Sequence, residues 1–541
     1  MHIVRRLYLP LLILLCALWA FVPLEGGDDF WAHAAIGRIF LDTGHIPKQT
    51  VYLWSADVPW VFHAYGSGII YASLLTLGGA RVGPWLCLAL NFALAVAPLL
   101  LVWRHAKYRA GEVPLLLVCL FVPALWFSSV RWRLRPEGFT VLFLTLTLLF
   151  LAQKKRARWQ YFAIAAMFAL WPNLHGGVLV GILVLWVGAI SELVQPFLTP
   201  SERPLSSGVP LASVTEPVLR PSAKVKFNSS LFGLASICSV LPLVCNPWGL
   251  GYRTVFAGTA ATSSHIAEWR HFWVYPQMNY EVAWGLCALC LVASVVWCLD
   301  RQKRAAIGAG LLLLTALWLQ ARRQIWLTSV TCMVALAQSA PVFDGERLYA
   351  ALKRQKEARL DELMRIIAQA GVLLILVCAC VVNLPTKGIR AIGTTAPLAM
   401  SQFLLTQAPK GRTFNDYEYS AALEWFLNNK RPLYIDLINA YPPELFDEWY
   451  EVAHASDDGK RVLDTKKIDV VALRPINNKN EDDPIYKLSK FMESSPQWKR
   501  IYDGVDGRVW ARRKLYNAPV RFSKDLNSFR IAGKVVKSSI N

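Results

Sequence analysis

Acidic residues are scarce: 37 Asp and Glu stand against 57 Lys and Arg, a formal net charge of +20. A surplus of that size suits a nucleic-acid partner. The chain, however, lacks a Gly-rich phosphate loop, zinc-ligand spacing and an aromatic RNA-binding motif, and its basic residues fall in short clusters between apolar runs. No nucleic-acid partner is therefore expected, and membrane topology accounts for the charge better. Cysteine is missing from the polar tail. All 11 cysteines (Cys16, Cys87, Cys119, Cys238, Cys245, Cys287, Cys290, Cys298, Cys332, Cys378 and Cys380) lie in or beside apolar runs. Neither a disulfide framework nor a metal site is signalled, and they read as small hydrophobes. No obvious internal repeat is present either, since nothing in the second half mirrors Asn173-Leu174-His175-Gly176-Gly177. Transporters commonly carry such paired broken helices.

What the chain has in abundance is apolar surface. Of its 541 residues, 55% are hydrophobic and 12% aromatic, and the mean hydropathy is +0.35. That is too apolar for an ordinary soluble protein of this length, so lipid is the expected solvent. The first apolar run, 7–24, follows Arg5 and Arg6 without a clear small-x-small cleavage site, and reads as an uncleaved anchor. Further runs lie at 83–103, 112–130, 137–152, 159–173, 176–195, 229–245, 283–299, 305–320, 324–340 and 367–384. These predict an α-helical multi-pass membrane protein of about eleven spans.

Lys and Arg are retained in short cytoplasmic loops, so charge sorts the connections. Threading the spans in order puts Arg104/Lys107/Arg109, Lys154/Lys155/Arg156/Arg158, Arg220/Lys224/Lys226, Arg301/Lys303/Arg304 and the 347–365 segment on the side of Arg5 and Arg6. The stretch 64–79 would reverse every later loop if it spanned, so it is expected to be an outer-surface or re-entrant helix. The other side then receives an outer loop at 25–82, the turns at 131–137, 173–177 and 246–281, the Arg322/Arg323 turn, and the tail. Two domains are expected: a transmembrane part, 1–385, and an extracytoplasmic α/β domain, 386–541. The tail reads as a strand at 412–414, a helix at 420–428, and strands at 432–436 and 468–473.

Most potentially reactive residues fall on that outer side. A helix beginning near Asp29 would place Asp29 and His33 on one face at i,i+4. The competing reading makes Asp28 a helix cap, Phe30 and Trp31 headgroup anchors, and Asp29 a charge favouring the positive helix end. The cluster Arg131, Arg133, Arg135, Glu137 sits at a span end, where snorkelling to headgroup phosphates is the plain alternative. Asn173 and His175 break two apolar runs, and irregular backbone at membrane depth needs a protein-lined or wet cavity. Asn246, followed by Pro247, reads equally as a span stop, and Glu268 as a solvated loop residue. Arg322 and Arg323 lie between two spans, where charges usually face a cavity.

The order of these features resembles the bacterial GT-C-fold membrane glycosyltransferase-like family, relatives of the polyprenyl-phosphate-sugar-dependent mannosyl and aminoarabinosyl transferases. The residues that carry the resemblance are Asp28-Asp29-Phe30-Trp31-Ala32-His33, Gly44-x-Ile46-Pro47, Trp60-Val61-Phe62-His63, Leu134-Arg135-Pro136-Glu137, Asn173-Leu174-His175, Asn246-Pro247-Trp248, Arg322-Arg323 and, in the tail, Phe414-Asn415-Asp416-Tyr417-Glu418-Tyr419 with Pro432-Leu433-Tyr434-Ile435-Asp436. Relatives commonly show Trp-Trp-His where this chain has Trp31-Ala32-His33, which removes one ring and keeps the carboxylate and imidazole.

The resemblance implies a GT-C-like transmembrane domain in the bacterial cytoplasmic (inner) membrane. It implies transfer of a sugar from a polyprenyl-phosphate-linked donor to a glycan, lipid or protein acceptor outside the cytoplasm, with an acidic residue of the first outer loop as catalytic group. Asp29 matches that position best, with Asp28 beside it and His33 close. A carboxylate accepts the proton of an acceptor hydroxyl as the sugar carbon passes through an oxocarbenium-like state. Arginine makes bidentate, permanently charged contacts to phosphate oxygens. Arg135, Arg323 and Arg322 are thus the donor-phosphate candidates, and His63, Glu137, Asn173, His175, Asn246 and Glu268 the substrate-cavity candidates. Adjacent carboxylates and histidines are also able to ligate a divalent metal, although no spacing specifies one. Two other classes compete: a non-catalytic scaffold whose tail binds an envelope partner, and a lipid or solute transporter.

Overall fold

The computed structural model describes residues 2–198, 229–254, 280–343, 358–385, 390–476, 483–515, 521–523, 528–531 and 534–537. Each of the eleven apolar runs is helical. The helices are α1 (His2–Ala20), α2 (Phe30–Thr43), α3 (Tyr65–Ala110), α4 (Leu115–Ser129), α5 (Glu137–Ala152), α6 (Arg158–Leu174), α7 (Val178–Ser191), the short α8 (Gln195–Leu198), α9 (Ser229–Val244), α10 (Tyr280–Leu299), α11 (Ala305–Gln320), α12 (Ile325–Gln338) and α13 (Ala358–Val382). Among the described residues, two stretches, Tyr65–Ala110 and Val282–Leu299, are long and apolar enough to cross a membrane by themselves, and shorter apolar helices accompany them. Large apolar side chains such as Phe162, Leu291, Leu312 and Val382 lie exposed on the bundle exterior.

α3 is two helices joined at Gly79, whose φ of 59° and ψ of −165° leave helical space. Only a residue without Cβ enters that region readily. Cys87 Sγ lies 3.9 Å from the Tyr71 carbonyl oxygen, whereas a straight helix would spread sixteen residues over about 24 Å. The limb 65–78 therefore doubles back on 80–110. It packs on α2 backbone to backbone: a Cβ on Gly37 would sit 2.0 Å from the Gly68 carbonyl oxygen, and one on Gly68 2.3 Å from that of His33.

Charged residues gather at two opposite ends of the bundle. At one end Arg5 pairs with Glu112, Arg109 lies 3.6 Å from Asp300, and Glu192 takes both Arg156 and Arg304. These belong to the loops expected on the cytoplasmic side. The Arg220/Lys224/Lys226 loop lies outside the described residues, as does most of 347–365. At the other end Asp28, Arg133, Glu137, His175 and the tail come together.

The tail holds α14 (Leu398–Thr406), α15 (Ser420–Leu427), α16 (Pro443–Ala453), α17 (Asp457–Thr465) and α18 (Pro484–Ser494) around a five-stranded sheet. Its strands are β1 (Arg412–Asn415), β2 (Ile468–Leu473), β3 (Trp498–Gly504), β4 (Gly507–Arg512) and β5 (Arg521–Ser523), in the order β1-β2-β4-β3-β5. β1 and β2 are parallel, while β2/β4 and β3/β4 are antiparallel. β6 (Ser528–Ile531) and β7 (Lys534–Lys537) form a separate hairpin.

The strand expected at 432–436 is a correction: it is no part of this sheet. The Asn415 side chain accepts the Tyr434 N–H at 2.7 Å and donates to the Ile435 carbonyl at 2.9 Å. One amide thus takes the backbone groups a neighbouring strand would have used. Leu433 bonds instead to the first loop, its N–H reaching the Tyr52 carbonyl at 2.8 Å and its carbonyl the Trp54 N–H at 2.9 Å.

Two further contacts fasten the tail to the bundle. The Leu24 N–H meets the Ala391 carbonyl at 3.0 Å and the Gly393 N–H the Leu24 carbonyl at 2.9 Å. Trp31 packs on Phe426 with ring centroids 4.9 Å apart.

Candidate functional site

The site is organised by the start of α2. Phe30, Trp31, Ala34 and Ala35 are buried, with Phe30 against Tyr71 at 5.1 Å and the Trp31 indole donating to the Glu25 carbonyl at 2.9 Å. Asp29 occupies the N-cap position, but with φ −55° and ψ −25° it is already helical, and its side chain makes no capping hydrogen bond. A capping side chain normally leaves from extended backbone to reach the first free N–H groups. Asp28 does not cap α2 either, because its Oδ2 accepts the Glu25 N–H at 2.7 Å. Asp28 is therefore not the cap of α2, while Asp29 stands at the positive end of the helix.

The segment following α4 alternates between core and carboxylates. Trp132 and Leu134 are buried. Arg131 bonds Glu137 at 2.9 Å, Arg133 bonds Asp28 at 2.9 Å, and Arg135 Nε stands 3.5 Å from Asp29 Oδ2. Three arginines two residues apart thus meet three different acids. The first pair is enclosed on both sides, whereas the Asp29 side chain keeps 39% of its surface exposed. Burial pushes the Asp28 carboxyl above its ordinary range, opposed by Arg133. Asp28 is accordingly a structural anion, and Asp29 is the accessible one.

His33 lies one turn along α2 from Asp29 and, with Phe62, His63, Tyr65 and Ile438, lines a small crevice. Burial pushes His33 down to about 4, with Arg135 adding to the effect and Asp29 opposing it. His63 is pushed down to about 4 by burial and then by His33 and Arg323. Both imidazoles are neutral at physiological pH and offer one donor and one acceptor each. His175 lies within the electrostatic reach of His33, His63 and Arg323. Its Nδ1 accepts the Gly177 N–H at 3.1 Å and lies 2.8 Å from the Thr140 hydroxyl. That assigns the proton of the neutral ring to Nε2.

Three of the expected cavity residues have other work. Asn173 joins three elements, accepting the Tyr65 hydroxyl at 2.9 Å and donating to the Ala169 and Cys245 carbonyls at 3.1 and 2.9 Å. Asn246 closes the turn after α9, accepting the Trp248 N–H at 2.7 Å and donating to the Pro242 carbonyl. Glu137 holds Arg131. Arg322 and Arg323 form a single 3-10 turn between α11 and α12, and Glu268 lies outside the described residues. Among the described residues no three His, Cys, Asp or Glu side chains are grouped to hold a metal ion.

The tail contributes residues that sequence reasoning assigned no role. Gly27 runs close to the Glu418 carbonyl, where a Cβ would sit at 3.7 Å, and Gly26 lies against the Tyr419 ring. Burial, followed by the charge of Asp29, pushes the Tyr417 phenol up. Ile438 enters the same crevice as the two histidines. The Asn415-to-Tyr419 run was visible as a motif, but nothing in its spacing tied it to Asp29.

No family model matches the sequence, and no curated protein sequence matches it. Solved structures do. They include the oligosaccharyltransferase AglB from Archaeoglobus fulgidus in complex with an inhibitory peptide and a dolichol-phosphate, at 11% identity over 86% of this chain and 69% of that one, with a TM-score of 0.51. The apo oligosaccharyltransferase of the same organism matches at 11% identity over 92% and 79%, with a TM-score of 0.54. ArnT from Cupriavidus metallidurans bound to undecaprenyl phosphate matches at 12% identity over 95% and 99%, with a TM-score of 0.52. At these identities the likeness is one of fold, and the fold of this chain is the GT-C fold of those membrane glycosyltransferases.

Proposed function

We propose that the chain is an integral membrane glycosyltransferase of the bacterial cytoplasmic membrane. It moves a sugar from a polyprenyl-phosphate-linked donor to an acceptor hydroxyl on the side away from the cytoplasm, with the tail on that side. The observation that carries this reading is the Asp29–Arg135 pair: an accessible carboxylate that makes no capping hydrogen bond, 3.5 Å from an arginine, beside neutral imidazoles. The fold adds support, because proteins of this fold have been captured with dolichol-phosphate and with undecaprenyl phosphate.

Asp29 accepts the proton of the acceptor hydroxyl as its oxygen bonds to the anomeric carbon, and the bond from that carbon to the phosphate oxygen breaks. The departing polyprenyl phosphate carries the negative charge away, and Arg135 and Arg323 stabilise it. His33, His63 and His175 stay neutral and serve as hydrogen-bond donors. Glu137 and Asp28 fix Arg131 and Arg133, and so hold the loop that presents Arg135. The test is thermal stabilisation of the nanodisc-reconstituted chain by undecaprenyl phosphate, followed by release of labelled sugar from an undecaprenyl-phosphate sugar. A chain that neither binds the lipid nor consumes the donor is not this enzyme.

A further inference from the structure

One side of α18 carries polar groups at a single helical spacing. Ile485, Leu488 and Met492 are buried against the tail's core, while Tyr486, Ser489, Lys490 and Glu493 follow one another at i, i+3, i+4 and i+7 and so share a stripe along the helix. With Arg500 of β3 and Arg508 of β4 they line a groove of about 550 Å³. That is the size of a ligand site, since small-molecule pockets run to about 300–1,000 Å³. None of these residues lines the crevice of His33 and His63.

A bulge builds the cationic wall of the groove. The β3/β4 register shifts between Arg500 and Tyr502, which brings Arg500 and Asp503 to one face, where a regular strand would set residues three apart on opposite faces. Asp503 lies 3.3 Å from Arg500 Nη1 and 3.2 Å from the Nε of Arg508, its cross-strand partner. Glu493 reaches the same Arg500 Nη1 at 3.0 Å and accepts the Trp510 indole N–H at 3.2 Å. Each guanidinium is thus held through one nitrogen, and its other side-chain N–H groups have no partner among the described residues. Lys490 lies over the Tyr486 ring at 4.4 Å. Three cations stand here against the carboxylates of Glu493 and Asp503, which leaves the groove a positive surplus.

An exposed ion-pair network alone would be a solvated surface. Ser489 argues for a site. It is 5% exposed and lines the groove, yet its hydroxyl makes no hydrogen bond among the described residues. A serine inside a helix ordinarily bonds a carbonyl one turn back, as Ser494 does with Phe491 at 3.2 Å. A hydroxyl buried without that bond costs stability unless something in the groove meets it.

We propose that this groove binds an acidic sugar, a pyranose carrying one phosphate or carboxylate group. The unengaged N–H groups of Arg500 and Arg508 take the oxyanion, which a guanidinium meets with two parallel hydrogen bonds. The Ser489 and Tyr486 hydroxyls and the Glu493 carboxylate exchange hydrogen bonds with the ring hydroxyls. The tail is then a saccharide-binding module as well as a neighbour of the Asp29 site. This binding goes beyond the glycosyl-transfer reading and does not depend on it, because the groove shares no residue with that site.

The probes are α-D-glucose 1-phosphate, methyl β-D-glucuronide and the neutral methyl β-D-glucopyranoside, titrated into the full chain in nanodiscs and followed by saturation-transfer NMR, with inorganic phosphate as competitor. An acidic sugar should bind about tenfold or more tightly than the neutral glycoside, and the stronger of the two acidic probes tells phosphate from carboxylate. Arg508→Gln should weaken that binding about tenfold or more. Ser489→Ala trades the orphan hydroxyl for a methyl group, so it should fold at least as well as the wild type and bind about threefold more weakly; it serves where Arg508→Gln fails to fold. Lys487, exposed on α18 outside the groove, supplies the charge control: Lys487→Gln should change affinity less than about twofold. A wild type that binds neither acidic sugar overturns the site. Inorganic phosphate competing with an affinity equal to the acidic sugar's overturns the saccharide assignment, and a loss in Lys487→Gln equal to that in Arg508→Gln reduces the binding to bulk charge attraction and overturns the groove. Unchanged affinity in folded Ser489→Ala and Arg508→Gln chains overturns it as well.

Discussion

Asp29 heads α2 without capping it, and its carboxylate lies 3.5 Å from the Nε of Arg135. An acid in that position ordinarily contributes by bonding the first amides of the helix, so its replacement destabilises by about 1 kcal/mol. Here that bond is absent. Asp29→Asn should therefore leave the thermal transition within a degree or two of the wild type while lowering sugar transfer by about 10²–10⁴-fold, the usual contribution of a general base. Asp28→Asn should behave in the opposite manner, because it loses the Arg133 pair and destabilises the loop. Sugar transfer assays and melting curves on both variants check this, and full activity in a folded Asp29→Asn chain would falsify the base assignment.

Arg135 Nε stands 3.5 Å from Asp29 Oδ2, and in the proposed reaction the same guanidinium meets a phosphate of greater charge. Donor binding then withdraws Arg135 from Asp29 and leaves the carboxylate free to take a proton. Arg135→Lys and Arg323→Lys keep the charge but lose the planar fork, so undecaprenyl phosphate affinity should fall about tenfold or more in each. Snorkelling to bulk headgroups predicts no change, since lysine snorkels as readily. Lipid titrations followed by thermal shift distinguish the two outcomes.

The two charged ends of the bundle make the topology testable. Reporters fused after Arg109, Arg158 and Arg304 should be cytoplasmic, and one fused after Lys410 should be external. Cytoplasmic activity from the Lys410 fusion would move the Asp29 site to the other compartment and end the polyprenyl-phosphate reading in its present form.

The helical part of the fold was legible because lipid-length apolar runs are local signals. The α2 start was equally legible, since Asp29 and His33 share a helical face. What the sequence could not disclose is pairing between distant segments. Arg131, Arg133 and Arg135 appear as one basic cluster, yet they divide among Glu137, Asp28 and Asp29. Pro432-to-Asp436 has the composition of a strand, and only the long-range bonds to Asn415 explain why it is none. Asn173 and Asn246 read as cavity residues because polar groups between apolar runs demand partners, and the partners the fold supplies are the Tyr65 hydroxyl and backbone groups.

Two buried acids near the seam between α2 and the tail predict stability changes of opposite sign. Glu424, on α15, is 1% exposed, and neither carboxylate oxygen has a hydrogen-bond partner among the described residues. Burial, then Asp436, pushes its pKa far up. Asp436 itself is raised to about 7 by burial, against the pull of its three N–H donors. The groups facing this pair are Tyr417 and Tyr441 within the tail, with Tyr52 and Arg38 across the seam. A carboxyl whose folded pKa lies above its unfolded value holds its proton in the fold at pH values where the unfolded chain has released it. The contribution of these two carboxyls to stability is therefore largest below about pH 4, the unfolded carboxyl range, and declines as the pH rises. The Asp436 part of that decline ends near pH 7, while the Glu424 part continues above it. Glu424→Met removes an unsatisfied buried carboxyl at nearly constant volume, so at pH 8 it should stabilise by about 1–3 kcal/mol and flatten the alkaline limb of the profile. Asp436→Asn weakens the acceptor of the Ala440 N–H and should destabilise by about 1 kcal/mol. Thermal unfolding of the two variants from pH 4 to pH 9 measures both effects, and a Glu424→Met chain that melts below the wild type at pH 8 would mean that Glu424 has a stabilising partner after all.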